Sequence, residues 1–246
     1  MKINKLLGVI FVLFAMPVMA SQFNQKQVKD IQVIVHNYLV KHPEVLVEAS
    51  HALQQQKKAA EISNAQKLMI KYQDRLFNAK GYPMAGNLKG KIVLVEFFDY
   101  QCPHCHVMGP MVDDLVKNNK NLKVVFRSLP AFGPDSLHSA QAALAAISQQ
   151  KYLTFHRALL KHGYPLSEGT IFSIAKKSDL NLSELKKDMN SKVVAKLLKG
   201  SEDLAGDLQL DGVPVFYIVN LSKHKYQYVS GQVDEQALLD AIDKVS

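Results

Sequence analysis

The sequence predicts an α/β domain that carries a helical insertion and follows a wholly helical extension. Three observations predict it. A nearly all-apolar run from Lys91 to Phe98 (KIVLVEFF) precedes a helical stretch and a second apolar run, Leu122 to Leu129 (LKVVFRSL), which is the pattern of a parallel β-α-β unit. Residues 130–210 show helical spacing with no convincing strand, whereas strand patterns return at Val213. Residues 24–76 contain no Gly, a single Pro and abundant Gln, Lys and Ala, with apolar residues at helical steps.

The chain opens with a secretory pattern. Lys2 and Lys5 precede the apolar run Leu6 to Val18, and Val18-Met19-Ala20 places small residues where a signal peptidase reads. That run is thirteen residues, short of the ~20 a spanning helix needs, so residues 1–20 are expected to be a cleaved signal; an uncleaved anchor is the alternative. Export to the periplasm follows, with peripheral association at a membrane left open. The signal removes two lysines and lowers the net charge from +8 to +6. No Arg and Lys stripe with interleaved aromatics is present, so no nucleic-acid partner is expected; the mild positive charge reads as solubility.

The extension, residues 21–80, reads as two helices. Asn24 can cap the first with Gln27 at the third helical position, and Val28, Ile31, Val35 and Tyr38 follow at steps of 3, 4 and 3. Pro43 ends it and suits the first turn of the next. The second helix shows Leu46, Ala49 and Leu53, a polar Gln56, a phase slip, and then Ile62, Ala65, Met69, Tyr72 and Leu76 at steps of 3, 4, 3 and 4. A long, narrow stripe favours self-association through residues 24–76, as a homodimer or larger; a helix laid on its own domain is the alternative.

The main domain, residues 81–246, starts after a loop marked by Gly81-Tyr82-Pro83 and Gly86-Asn87. Between its two halves lies the insertion, about 130–210. Its helices are expected at Leu137 to Gln149, Tyr152 to Lys161 and Ser167 to Lys177, with further pieces to Ala205. Val213 to Asn220 (VPVFYIVN) and Lys225 to Ser230 read as strands, and a helix capped by Asp234 closes the chain.

The only two cysteines sit in Cys102-Pro103-His104-Cys105, directly after the first apolar strand. A disulfide closing so short a loop stabilises little, so chemistry is the better reading of the pair. At a helix start, free N–H groups and the positive dipole end favour a Cys102 thiolate, Pro103 is preset for the first turn, and Cys105 lies one turn on. His104 adds a donor and, when protonated, a positive charge; a plain turn residue is its alternative. A stabilised thiolate is a good leaving group, which predicts an oxidising pair. Tetrahedral zinc needs four ligands, and His104 and His106 stand too close in sequence to supply the missing two, although His138, His156 and His162 could contribute. No metal and no cofactor are expected. Glu96 lies in a strand covered on both faces, so it is either a proton acceptor beneath the pair or an edge residue reaching solvent.

These residues resemble a known family. Val95-Glu96-Phe97-Phe98-Asp99-Tyr100-Gln101-Cys102-Pro103-His104-Cys105 is similar to the active-site strand and helix start of DsbA-like thiol:disulfide oxidoreductases, in the thioredoxin superfamily. The stretch from Phe132-Gly133 to Leu160 resembles the inserted helical domain of that family, and Gly212-Val213-Pro214 resembles its loop facing the active site. The resemblance implies a thioredoxin-like fold and disulfide exchange with folding, cysteine-containing secreted proteins. It implies Cys102 as nucleophile, Cys105 as resolving partner of a redox-active disulfide, Glu96 as its proton carrier, and a cis Pro214. Val213 would then bind an extended substrate segment through its backbone.

A membrane redox partner would reset the pair. The helical extension resembles those of multimeric members, which leaves two directions open: an oxidase, or a multimeric isomerase acting on wrong disulfides. A thiol metal-binding module is the third reading.

Overall fold

The computed structural model describes residues 23–78 and 80–246; the expected signal peptide lies outside the described residues. The chain divides into two compact units, Met1–Gln56 and Lys57–Ser246.

In the described part of the first unit, α1 (Gln25–Lys41) begins with a complete capping box: the Asn24 side chain accepts from the Gln27 N–H, and the Gln27 side chain accepts from the Asn24 N–H, both at 2.9 Å. α1 buries no residue, and none of residues 23–56 is buried. His42-Pro43 separates it from α2 (Glu44–Lys71), which crosses from the first unit into the second.

The second unit is built on one five-stranded sheet. After α3 (Gln73–Phe77) come β1 (Met84–Gly86), β2 (Ile92–Phe98), α4 (Pro103–Asn118) and β3 (Leu122–Ser128). The insertion follows as α5 (Pro134–Ala145), α6 (Tyr152–His162), α7 (Glu168–Lys177), α8 (Leu182–Met189) and α9 (Lys192–Asp207). The chain closes with β4 (Val215–Asn220), a single 3-10 turn (Leu221–Lys223), β5 (Lys225–Ser230) and α10 (Glu235–Val245). Strand order is β1-β3-β2-β4-β5, with β2 and β3 parallel and the other pairs antiparallel. This is a thioredoxin-like fold with a helical insertion, and among the described residues 130–210 contain no strand.

Alternation along β2 feeds two cores. Ile92, Leu94 and Phe98 face a core shared with α4, α10 and the insertion. Val93, Val95 and Phe97 face a second core, completed by Leu204 and Ala205 of α9, by Leu208 just after it, and by Ala65, Met69, Leu76 and Phe77.

The second core corrects the reading of the extension. The stripe at Ile62, Ala65, Met69, Tyr72 and Leu76 lies on the sheet of its own unit rather than on a face left for another copy. Polar contacts fasten it there: Glu61 Oε1 accepts from the Tyr228 hydroxyl at 2.9 Å and the Ser230 hydroxyl at 2.7 Å, and Asn64 Nδ2 donates to Gln209 Oε1 at 3.0 Å. The phase slip near Gln56 coincides with the boundary between the units. The loop expected around Gly86 holds a short strand instead, since β1 pairs with β3 through Met84, Ala85 and Gly86. A Cβ on Gly86 would stand 2.4 Å from the Leu122 carbonyl, and its φ of +80° also favours glycine.

Candidate active site

β2 delivers the chain to the site and α4 begins there. Cys102 is the N-cap of α4, with φ −83° and ψ 117°, and Pro103 occupies the first turn, where a missing N–H costs nothing. Cys105 follows one turn later on the buried face of α4. Both cysteines are free thiols, and both are covered by their surroundings, at 1% and 0% exposure.

The two sulfurs are driven apart electrostatically. Cys102 is lowered to about 6, first by a hydrogen bond from the Cys105 thiol, against the opposing effect of burial, and then by the backbone N–H groups of Cys105 and His104 and the His104 ring. Burial pushes the Cys105 thiol far up, and its bond to Cys102 adds to the effect. One sulfur is therefore poised as a thiolate while the other keeps its proton.

The loop around the pair is tied at several points. Asp99, buried before the motif, accepts from the Gln101 N–H at 2.8 Å through Oδ1 and from the Ala131 N–H at 2.6 Å through Oδ2. The Asp99 N–H in turn donates to Cys105 Sγ at 3.5 Å. Gln101 donates to the Leu166 carbonyl at 2.7 Å and accepts from the Leu166 N–H at 3.0 Å, which pins the loop to the insertion. Opposite Cys102, the Val213–Pro214 bond is cis, Pro214 is buried, and the Val213 carbonyl accepts from the Cys102 thiol at 3.5 Å. A second cis bond, Tyr164–Pro165, lies next to the Gln101-bound Leu166; nothing in the sequence analysis singled it out.

His104 is exposed and its Nδ1 lies 2.6 Å from Gln232 Oε1. Glu96, at 1% exposure, sits in the middle of the sheet between Phe126 and Phe216, which removes the edge-residue alternative. Both its carboxylate oxygens are buried without a hydrogen-bond partner. Burial first, and then the Asp113 charge, raise it to about 8, so Glu96 is a carboxylic acid at neutral pH.

The histidines weighed as extra metal ligands do not converge. His156 is buried with Nδ1 2.8 Å from the Tyr100 hydroxyl, and burial holds it neutral by lowering it to about 3. His138 faces Glu168 at 3.9 Å, and His162 lies at the end of α6. Among the described residues no group of three or more His, Cys, Asp or Glu side chains is placed to hold a metal ion. Nor is any described helix long and apolar enough to cross a membrane.

Sequence reasoning passed over Asp99 and Gln101. Their polar character inside an otherwise apolar strand-to-helix junction was the available signal.

A family model described as the DSBA-like thioredoxin domain matches residues 93–243, and one described as the copper resistance protein ScsC N-terminal domain matches residues 27–60. A thioredoxin-like oxidoreductase from Silicibacter pomeroyi DSS-3, of known crystal structure, is 36% identical over 70% of this chain and 95% of its own, with a TM-score of 0.65. BcfH of Salmonella enterica Typhimurium is 28% identical over 89% of this chain and 96% of its own, with a TM-score of 0.71. The Na(+)/H(+) antiporter NhaA 3 of Salinispora tropica is 28% identical over 145 residues, which are 58% of this chain. The matched region spans only 22% of that antiporter's length.

Proposed function

The chain belongs to the DsbA-like thioredoxin domain family, and from that premise we propose that it is an exported thiol:disulfide oxidoreductase that introduces disulfides into folding secreted proteins through Cys102 and Cys105. The observation that carries this reading is the opposed pair of sulfurs: Cys102 lowered to about 6 at the start of α4, and Cys105 held as a thiol behind it.

The reaction starts from the Cys102–Cys105 disulfide. A substrate thiolate attacks Cys102 Sγ, the disulfide breaks, and a mixed disulfide forms between the substrate and Cys102 while Cys105 leaves with the bonding electron pair. Cys105 is a poor leaving group, so it needs a proton as it departs. Glu96, protonated at neutral pH, is the donor on this reading.

A second substrate thiolate then attacks the substrate sulfur of the mixed disulfide. Cys102 leaves as a thiolate, favourably because it is lowered to about 6. The substrate has lost two electrons and the pair has gained them, and a membrane redox partner in the periplasm accepts them to restore the disulfide. Val213 lies beside the pair, its carbonyl oxygen 3.5 Å from Cys102 Sγ, and on this reading its backbone, presented next to the cis Pro214, binds an extended substrate segment. His104 tunes Cys102 through its N–H and its ring.

The test uses single substitutions in the full chain. Cys102→Ser is expected to abolish reoxidation of a reduced test protein, and Cys105→Ser to trap the mixed disulfide. Alkylation of Cys102 in the reduced protein is expected to be half-maximal near pH 6 rather than in the ordinary thiol range. Normal reoxidation by Cys102→Ser rules the reading out.

A second reading, a disulfide isomerase, is favoured by the unburied apolar stripe of α1, which suits a homo-oligomer that presents several redox sites together. Unscrambling of a wrongly paired substrate, with a pair kept reduced in cells, decides for it.

A further inference from the structure

One histidine of the redox loop has no part in the chemistry above. His106 follows the second cysteine, on α4, and is half-buried. Its Nδ1 lies 2.7 Å from the Leu160 carbonyl near the end of α6, and its Nε2 lies 2.6 Å from the Tyr100 carbonyl, two residues before Cys102. Both neighbours are backbone carbonyl oxygens, which only accept hydrogen bonds. A neutral imidazole has one N–H and one bare lone pair, so either tautomer would press a lone pair against an oxygen at 2.6 or 2.7 Å. The imidazolium donates on both sides and satisfies both carbonyls. The Tyr164 ring, 6.0 Å away, is a neighbour compatible with a cation.

We propose that His106 is a positioning residue for the thiol exchange, a doubly protonated bolt between the entrance of the redox loop and the end of α6. The proposal rests on the reading of Cys102 and Cys105 as an exchanging pair. One ring N–H fixes the Tyr100 carbonyl and with it the approach to the α4 N-cap, where Cys102 sits. The other ties that loop to the insertion, alongside the separate Gln101 tie to Leu166.

The direct experiment is ring-nitrogen NMR on the full chain with labelled histidine, with the His106 signals assigned by their loss in His106→Gln. Protons on both ring nitrogens at pH 7 are expected; a bare nitrogen overturns the proposal whatever the enzyme does. The functional arm compares His106→Phe with His106→Arg, which keeps a cation and several donors. His106→Phe is expected to weaken the oxidising equilibrium with glutathione by roughly three- to tenfold and to move half-maximal alkylation of Cys102 upward in pH, while His106→Arg recovers most of both. Equal values in the parent and both variants overturn the positioning role. A parent protein that exchanges no disulfides overturns the functional reading and this role with it, which the ring-nitrogen result keeps distinguishable.

Discussion

Two helical stripes with nearly the same spacing meet opposite fates in this molecule. In α1, Val28, Ile31, Val35 and Tyr38 recur at steps of 3, 4 and 3, and all four are exposed, at 42% to 54%. In the part of α2 and α3 that belongs to the second unit, Ile62, Ala65, Met69, Tyr72 and Leu76 recur at steps of 3, 4, 3 and 4, and Met69 and Leu76 are completely covered. Periodicity says that a stripe wants a partner; it does not say which partner. What separates the two is the polar frame around the second stripe, where Glu61, Asn64 and Arg75 reach Tyr228 and Ser230, Gln209, and Asp207. Among the described residues, no comparable anchors surround the first.

The largest effect should come from breaking the covered stripe. Met69→Ala leaves a cavity in the core that also holds Val93 and Val95 and is expected to cost about 2–5 kcal/mol of unfolding free energy, measured by denaturant titration of the full chain. A cost under ~1 kcal/mol would mean that this stripe is not core. The exposed stripe should respond in the opposite way. Ile31→Asp with Val35→Asp is expected to leave the unfolding midpoint of the second unit in place and to reduce the molar mass seen by light scattering to that of one chain. An unchanged mass would remove α1 as the face of self-association, and a lowered midpoint would show that it packs on its own chain.

The same contrast explains what could be read in advance. The parallel β2–β3 pair, β5 and the capped starts of α1 and α10 were legible because local signals specify them: apolar runs, Asn24 with Gln27, Asp234. β1 was not, because three residues beside Gly86 carry too little pattern and owe their state to β3. The start of α5 at Pro134 was also missed, although Gly133 followed by Pro is a start signal in its own right. At the site, the cysteine motif announced itself, and Glu96 stood out as a charge in an apolar strand. Asp99, Gln101 and His106 did not, since each works through a backbone group on a segment 32 to 65 residues away. Chemistry carried by side chains alone was legible; chemistry carried by side chains gripping distant backbone was not.

Two smaller effects sharpen the comparison further. Asn24→Ala removes the capping box of α1 and is expected to cost that helix about 1 kcal/mol, seen as faster amide exchange confined to its first turn. Spread of that exchange into the second unit would contradict the independence of the two stripes. The smallest effect concerns Glu61, which frames the covered stripe. Burial acts to raise its carboxyl, but hydrogen bonds from Ser230 and Tyr228 and the Lys58 charge outweigh it, so the group is held below the ordinary carboxylate value. A depressed folded-state value stabilises above the unfolded value and loses that contribution as pH falls through the folded one. Because Glu61 is largely exposed, the contribution should be only a few tenths of a kcal/mol. Unfolding titrations of the parent and Glu61→Gln are therefore expected to differ at pH 7 and to converge as pH falls below the carboxylate range. A difference that stays constant across that range would mean that Glu61 acts on the stripe through packing and not through its charge.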